Sequence, residues 1–325
     1  MNKLSKDSTL RQVLLEPVGE DSAGQRIDNY LMRRLKGVPK SHIYRILRSG
    51  EVRVNSGRVG PDYRLQPDDL VRIPPVRTAE RTSEGTPPGP AFKPAILFED
   101  EALLIIDKPS GVAVHGGSGV SFGVIESLRH ARPQAKFLEL VHRLDRETSG
   151  VLMLAKKRAA LVELHRQLQA GETSKHYFAL VKGKWNERKR AVDVPLQKYV
   201  LSSGERRVRA GADGDAALTI FRLERGVGPY SLLDAELKTG RTHQIRVHLA
   251  HLGFPILGDD KYGDFALNKT LAKQGLKRMF LHAHRLVIRH PLRGERITIE
   301  APLPPELQQF MDAIRARPGV HATSV

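Results

Sequence analysis

The chain contains no cysteine, which excludes a disulfide framework, a thiolate metal site and a cysteine nucleophile. It also lacks long hydrophobic runs. Apolar stretches such as Val151–Ala155 fall far short of the roughly 20 residues that span a bilayer. The opening MNKLSKDSTLRQVLLEP carries charges throughout and has no continuous apolar segment of the secretory kind. These absences point to a cytoplasmic protein that uses no membrane. No self-similarity at a period of about 20–50 residues suggests a solenoid. Acidic residues are in deficit: 36 Asp and Glu against 53 Lys and Arg leave a net +17 over 325 residues. That balance says nothing about fold, but it favours a polyanionic partner.

What is present divides in two. Residues 76–94, VRTAERTSEGTPPGPAFKP, hold four prolines and two glycines without apolar periodicity and read as a linker. Residues 1–21 and 313–325 read as flexible ends. In the unit between, residues 22–75, Ile27, Tyr30, Leu31 and Leu35 recur at helical spacing. Ser41 can cap a second helix with Ile43, Ile46 and Leu47 inward, ending at Gly50. EVRVN and DLVRI then alternate as strands. This stretch holds 11 Lys and Arg against 5 Asp and Glu, a net +6. Arg33, Arg34, Lys36, Lys40, Arg45 and Arg48 cluster on and between the two helices, where they can follow a phosphate backbone. A solvated helical face is the bland alternative. AGQRIDNYLMRRLKGVPKSHIYRILRSGEVRVNSGRV followed by LQPDDLVRI resembles an S4 domain of the αL type, which implies a grip on structured RNA through shape.

From residue 95 to 312 short strands dominate. ILFEDEALLIIDKPSGVAVH gives two around a Lys-Pro-Ser-Gly turn, and 151–155, 176–181, 218–223, 231–237 and 297–301 read as further strands. Val124–Ala131 and Ala159–Ala170 read as helices. The pattern predicts an α+β domain with a largely antiparallel sheet. Within it, HRLDRETSG sets Asp145 between Arg143 and Arg146. If the preceding strand stays extended, Arg143 and Asp145 share a side, and the arginine can hold the carboxylate ionised. A structural ion pair explains such an arrangement equally well. LKTGRTHQIRVHLAHLGFPILGDDKYG places a Gly240 turn before a helix opening near Thr242, with Arg241 at its positive end and Ile245, Leu249 and Leu252 beneath. SKHYFALVKG puts Tyr177 in a strand among basic residues, where it either stacks on a base or packs.

Together HRLDRETSG, KHYFALV, GRTHQIRVHLAHLGFPILGDDKYG and FLHAHRL closely resemble the RluA-type pseudouridine synthases, and the likeness covers residues 20–312. It implies isomerisation of uridine to pseudouridine in RNA, here at several uridines of 23S ribosomal RNA or an assembling large subunit, by a monomer using neither metal nor cofactor. It implies Asp145 as the catalytic aspartate, attacking C1′ or abstracting a C2′ proton. Arg241 is implied to pair with it and with a nearby phosphate, Tyr177 to stack on the uracil and assist removal of the C5 proton, Arg143 to fill the space left by the flipped base, and Ile245 to floor the pocket. Arg246 is expected to contact RNA. The rival readings are weaker. GVSFG at 119–123 satisfies G-x-S-x-G, but the oxyanion loop of such hydrolases comes from an earlier strand. The histidines at 243, 248, 251, 282, 284 and 290 show no H-E-x-x-H. A non-catalytic RNA-binding or assembly factor has no need of a carboxylate in a cationic groove, where it would repel phosphate.

Overall fold

The computed structural model describes residues 12–19, 22–35, 37–76, 93–116, 122–202 and 204–316. The chain divides into two compact units, residues 1–90 and 91–325. Most of the expected linker, Lys36, and Gly119–Ser121 of the G-x-S-x-G match lie outside the described residues.

In the smaller unit the elements run β1 (Leu14–Pro17), α1 (Ile27–Arg34), α2 (Lys40–Arg48), β2 (Arg53–Val54), β3 (Gly57–Arg58) and β4 (Leu70–Ile73). The sheet order is β1-β4-β2-β3, with all pairs antiparallel. Strand β1 falls in the stretch expected to be a flexible end; pairing with β4 orders it. Helix α2 opens at Lys40 after Pro39, without a side-chain cap, so Ser41 does not take the capping place. Pro39 supplies the extended entry instead, its φ fixed by the ring. The helices bury Ile27, Leu31, Ile43, Ile46 and Leu47 against Val52, Val54, Val71 and Ile73. Between β2 and β3, Asn55 and Ser56 both have positive φ, as a two-residue hairpin of type I′ requires. Leu70 N–H donates to the Asn55 side chain and ties that turn to β4.

The larger unit runs β5 (Ala95–Glu99), β6 (Leu103–Lys108), α3 (Val124–Ala131), β7 (Glu139–Leu140), β8 (Ser149–Ala155), α4 (Arg158–Gln169), β9 (Ser174–Lys182), β10 (Lys189–Asp193), β11 (Leu196–Val200), β12 (Arg206–Ala210), β13 (Leu218–Val227), β14 (Tyr230–Leu237), α5 (Gln244–His251), α6 (Phe265–Lys273), β15 (Leu281–Arg289), β16 (Arg296–Glu300) and α7 (Pro305–Arg315). Helix α7 thus carries ordered chain past residue 313, where a flexible tail was expected. The main sheet has the order β10-β13-β14-β9-β15-β8-β6-β5, with β16 on β15 and β7 on β8, while β11 and β12 form a separate hairpin. The sheet is antiparallel except where β15 meets β8. Strand β8 is buried along its whole length, and its alternation feeds two cores. Leu152 and Leu154 pack with Leu104, Ile106 and Leu128. Val151, Met153 and Ala155 pack with Leu161 and Leu164 of α4.

The parallel contact joins the two halves of the sheet and is two residues long, Ser149 with His282 and Gly150 with Ala283. Gly150 has φ 109°, and a Cβ there would lie 2.2 Å from the Ala283 carbonyl oxygen. Only glycine allows the strands this close. Gly150→Ala should therefore lose roughly 3 kcal/mol or more of stability, combining backbone strain with a backbone clash. Trp185, the one tryptophan of the chain and buried in this unit, reports the loss by fluorescence in urea; an unchanged midpoint would contradict the close-approach argument.

Candidate active site

The HRLDRETSG segment runs as a loop from β7 up to Thr148 and enters β8 at Ser149, so it does not continue the preceding strand. Its anchors are backbone groups. Val141 N–H donates to Met153 O (3.1 Å), and Met153 N–H donates back to His142 Nε2 (3.1 Å). From below, the fully buried Lys108 donates to Pro109 O, Val112 O and Arg146 O at 2.8, 2.9 and 3.1 Å. Ser110 Oγ–H and Gly111 N–H donate to Glu147 O and Arg146 O, each at 2.8 Å. The Lys-Pro-Ser-Gly turn thus clamps the loop that carries Asp145. Thr148 N–H closes it on Asp145 O at 3.1 Å.

Asp145 lies in the wall of a cavity of about 390 Å³, a size usual for small-ligand sites. Arg143, Tyr177, Arg241, Ile245 and Arg246 line the same cavity. Arg143 is exposed and has no ion pair among the described residues, so it does not hold Asp145 as the extended-strand expectation required. The irregular backbone from residue 141 to 148 breaks the alternation on which that expectation rested.

The expected Arg241–Asp145 pair is also replaced. Arg241 turns its Nε to Ala216 O (3.0 Å) and stays exposed. The guanidinium that reaches Asp145 is Arg246, with Nη1 3.4 Å from Oδ2. The cause is local: helix α5 opens at Gln244, two residues later than expected, and His243 before it adopts φ 54°, ψ 22°. This sends Arg246 inward and leaves Arg241 in the preceding turn. Arg246 is 3% exposed and is gripped by Asp259 through two hydrogen bonds of 2.7 Å each. Asp260 adds a contact at 3.2 Å. Burial alone would raise the Asp259 carboxyl, but hydrogen bonds and charge from Arg246 hold it below the ordinary range, with Lys261 and Tyr262 N–H groups adding to the effect. Burial works against the Arg246 charge, and Asp259 more than offsets it.

Tyr177 sits mid-strand in β9 between Ala235 and Ala283. Burial, then the charge of Asp145, raises its phenol. Ile245 is buried beneath the cavity. Lys175, also lining it, is lowered by burial. Asp259 and Asp260 stand in the sequence motif without an assigned role, and His243 only among histidines that lack a metal-binding pattern. His243 comes within 3.8 Å of Asp145, a contact made by a turn geometry that spacing along the chain does not reveal.

In the smaller unit Arg33, Arg34, Lys40, Arg45 and Arg48 are all exposed on the helix pair. Arg34 is bound by Glu16, and Arg45 lies 3.2 Å from Glu51. Arg33, Lys40 and Arg48 have no ion pair among the described residues. On the larger unit, His176, Asp234 and His284 form the one group among the described residues that could hold a metal ion. Asp234 already accepts from His176 Nδ1 (2.8 Å) and His284 Nε2 (3.0 Å), with Arg222 3.7 Å away, so the carboxylate is already partnered by both imidazoles.

His282, fully buried, joins the loop end to β15. Arg278 donates to Ser149 Oγ (2.6 Å), which leaves the hydroxyl hydrogen for His282 Nδ1 (2.9 Å) and places the ring N–H on Ala301 O (3.2 Å). Burial lowers this imidazole to about 4, against ~6.5 when unfolded. Its folded value is depressed, so its contribution is complete above the unfolded value and lost as pH falls through the folded one. Urea midpoints followed by Trp185 fluorescence should fall between about pH 6.5 and 4, by as much as ~3 kcal/mol from His282. A flat profile across that window, or one that His282→Asn leaves unaltered, would contradict it.

A sequence model described as RNA pseudouridylate synthase matches residues 102–251, and one described as S4 domain matches residues 25–71. The ribosomal large subunit pseudouridine synthase C of Pasteurella multocida (strain Pm70) is 52% identical over 320 residues, covering 97% of this chain and 98% of its own. The protein of that name from Escherichia coli (strain K12) is 52% identical over 309 residues, 93% and 97% of the two chains. Among solved structures, human RNA pseudouridylate synthase domain containing 4 superposes with a TM-score of 0.56 at 28% identity, over 68% of this chain and 93% of that one. Identity of this extent, joined to the fold, establishes that the chain belongs to the pseudouridine synthase family, as an RNA isomerase with an N-terminal S4 domain.

Proposed function

We propose that the enzyme acts on several uridines of 23S ribosomal RNA, as a cytoplasmic monomer, with Asp145 as its catalytic carboxylate. The observation that carries this is the cavity in which one oxygen of Asp145 faces a buried arginine while Tyr177 and Ile245 supply an apolar wall. The likeness to large-subunit enzymes across nearly the whole chain supports the choice of RNA.

Reaching the glycosidic bond requires the uridine to leave its stack, at a cost of a few kcal/mol. Arg143, exposed at the cavity mouth and free of ion pairs among the described residues, is suited to the space the base leaves. Asp145 attacks C1′ or takes the C2′ proton as the N1–C1′ bond breaks. The uracil turns and C5 bonds to C1′ as the carboxylate leaves C1′ or returns the proton to C2′; the C5 proton departs and N1 takes one up, so the overall change is an isomerisation. Arg246 supplies fixed positive charge beside the developing anion. Tyr177 faces the uracil. Arg241, exposed at the rim, is assigned to a backbone phosphate rather than to Asp145. Arg33, Lys40 and Arg48 follow the phosphates of a structured RNA segment, with Arg34 and Arg45 partly neutralised by their carboxylate partners.

Tritium release from 23S rRNA labelled at uridine C5 tests the chemistry, because C5 loses its hydrogen when it bonds to C1′. Wild type should release label and Asp145→Asn should release none while still binding the RNA. Turnover by Asp145→Asn would end the assignment. Replacing Arg33, Lys40 and Arg48 together by alanine should flatten the dependence of log K on log salt by about 2, close to 0.7–0.9 for each lost phosphate contact. An unaltered slope would place the RNA elsewhere.

A further inference from the structure

His243 is the only non-glycine residue with positive φ among the described residues of the larger unit. Holding a histidine there costs on the order of 1–3 kcal/mol, which glycine would avoid. The strained backbone aims an imidazole that is mostly buried, 15% exposed, between two partners. Its Nδ1 lies 2.8 Å from Tyr262 Oη and its Nε2 3.8 Å from Asp145 Oδ2. The ring also packs edge-on against Tyr262, with centroids 5.5 Å apart.

The proton count decides the tautomer. Tyr262 Oη accepts the N–H of Val208 in β12 at 3.0 Å. An amide can only donate, so the single phenolic hydrogen remains available for His243 Nδ1. The ring proton then sits on Nε2, toward the carboxylate. The charged and titratable groups facing this ring are Asp145, Arg246, Lys261, Asp259 and Tyr262. Burial lowers the imidazole and is reinforced by Arg246 and Lys261 against the pull of Asp145 and Asp259. The ring is therefore a neutral donor. Burial raises the Tyr262 phenol, which keeps its hydrogen.

Both groups that face Asp145 address the same oxygen. Arg246 Nη1 is 3.4 Å and His243 Nε2 is 3.8 Å from Oδ2. No hydrogen bond to Oδ1 occurs among the described residues. We propose that His243 is a positioning residue for Asp145, its tautomer set by Tyr262 and Val208: the 3.8 Å gap closes to a hydrogen bond when substrate is bound, fixing Oδ2 and turning Oδ1 to the ribose. A neutral N–H suits this task. It orients the carboxylate without adding the second positive charge that would stabilise the anion further and blunt its reactivity. The role rests on Asp145 being the catalytic carboxylate.

One experiment needs no RNA. In protein labelled with ¹⁵N-histidine, long-range ¹H–¹⁵N correlations report each ring tautomer, and the resonances absent from His243→Gly identify the ring among the chain's 13 histidines. The expected result is an Nε2–H ring in wild type and loss of that preference in Tyr262→Phe. An Nδ1–H ring in wild type, or a tautomer indifferent to Tyr262→Phe, overturns the proposal. The second is single-turnover tritium release. His243→Gly relieves the backbone, so the variant should fold with an unreduced Tm. Its rate constant should fall by about tenfold to a hundredfold with RNA affinity unchanged, and Tyr262→Phe should fall less. A rate equal to wild type, or a loss that follows Tm or RNA affinity, overturns the role. No release from wild type on this RNA strikes the catalytic reading and the role with it; release by wild type carrying an Nδ1–H ring strikes the role alone.

Discussion

The site depends on one buried guanidinium. A charge that leaves water must find a partner of opposite sign and good geometry, and Arg246 finds it in Asp259, which is itself fully buried and held by the N–H groups of Lys261 and Tyr262. This fixes α5 against the loop that follows it. The remaining donor, Nη1, then has one direction, toward Asp145 some 101 residues earlier in the chain. Breaking such a pair by deleting one partner costs on the order of 3–5 kcal/mol. The arrangement that presents positive charge to Asp145 is therefore inseparable from the packing of the catalytic unit.

The carboxylate side is made rigid by different means. Asp145 stands on a loop, and loops place side chains less firmly than strands do. Here three donors of Lys108, the Ser110 hydroxyl and the Gly111 amide fix the loop's carbonyls. Its far end runs directly into β8 at the close approach of Gly150 to Ala283. Ser149, one residue before that contact, is bound by both Arg278 and His282. The loop has little freedom left except in the exposed side chains of Arg143 and Arg146. That division suits a site in which one residue must be held and its neighbours must meet RNA.

Much of this was legible in the sequence where the signal is local. The apolar spacing of Ile27, Leu31, Ile43 and Ile46 marked both helices of the smaller unit, and the strand-like runs at 151–155 and 176–181 marked β8 and β9. The charged loop, the tyrosine strand and the basic helix, each legible as a motif, line one cavity. What failed was direction. Whether Arg241 or Arg246 faces Asp145 turns on a two-residue delay in the start of α5 and on the left-handed backbone of His243, for which no spacing rule exists. Arg143 was expected to stay extended beside Asp145, but the clamps that bend the loop come from Lys108 and Ser110, distant in sequence. The parallel pairing of β15 with β8 was equally hidden, since alternation identifies a strand without naming its neighbour.

The charge distribution gives a last constraint. A chain with net +17 gathers Asp145, Asp259 and Asp260 around one guanidinium, that of Arg246, although carboxylates oppose the approach of phosphate. A protein that only bound RNA would be better served without them. Asp259 is accounted for by Arg246, which it neutralises and aims. Asp260 is a weaker, solvent-exposed partner of the same guanidinium. Asp145 has an oxygen that accepts no hydrogen bond among the described residues, and it lines the cavity shared with Tyr177 and Ile245. A carboxylate kept in a cationic groove against the electrostatic cost, and left half unsatisfied there, supports the proposed chemistry on the RNA over mere adhesion to it.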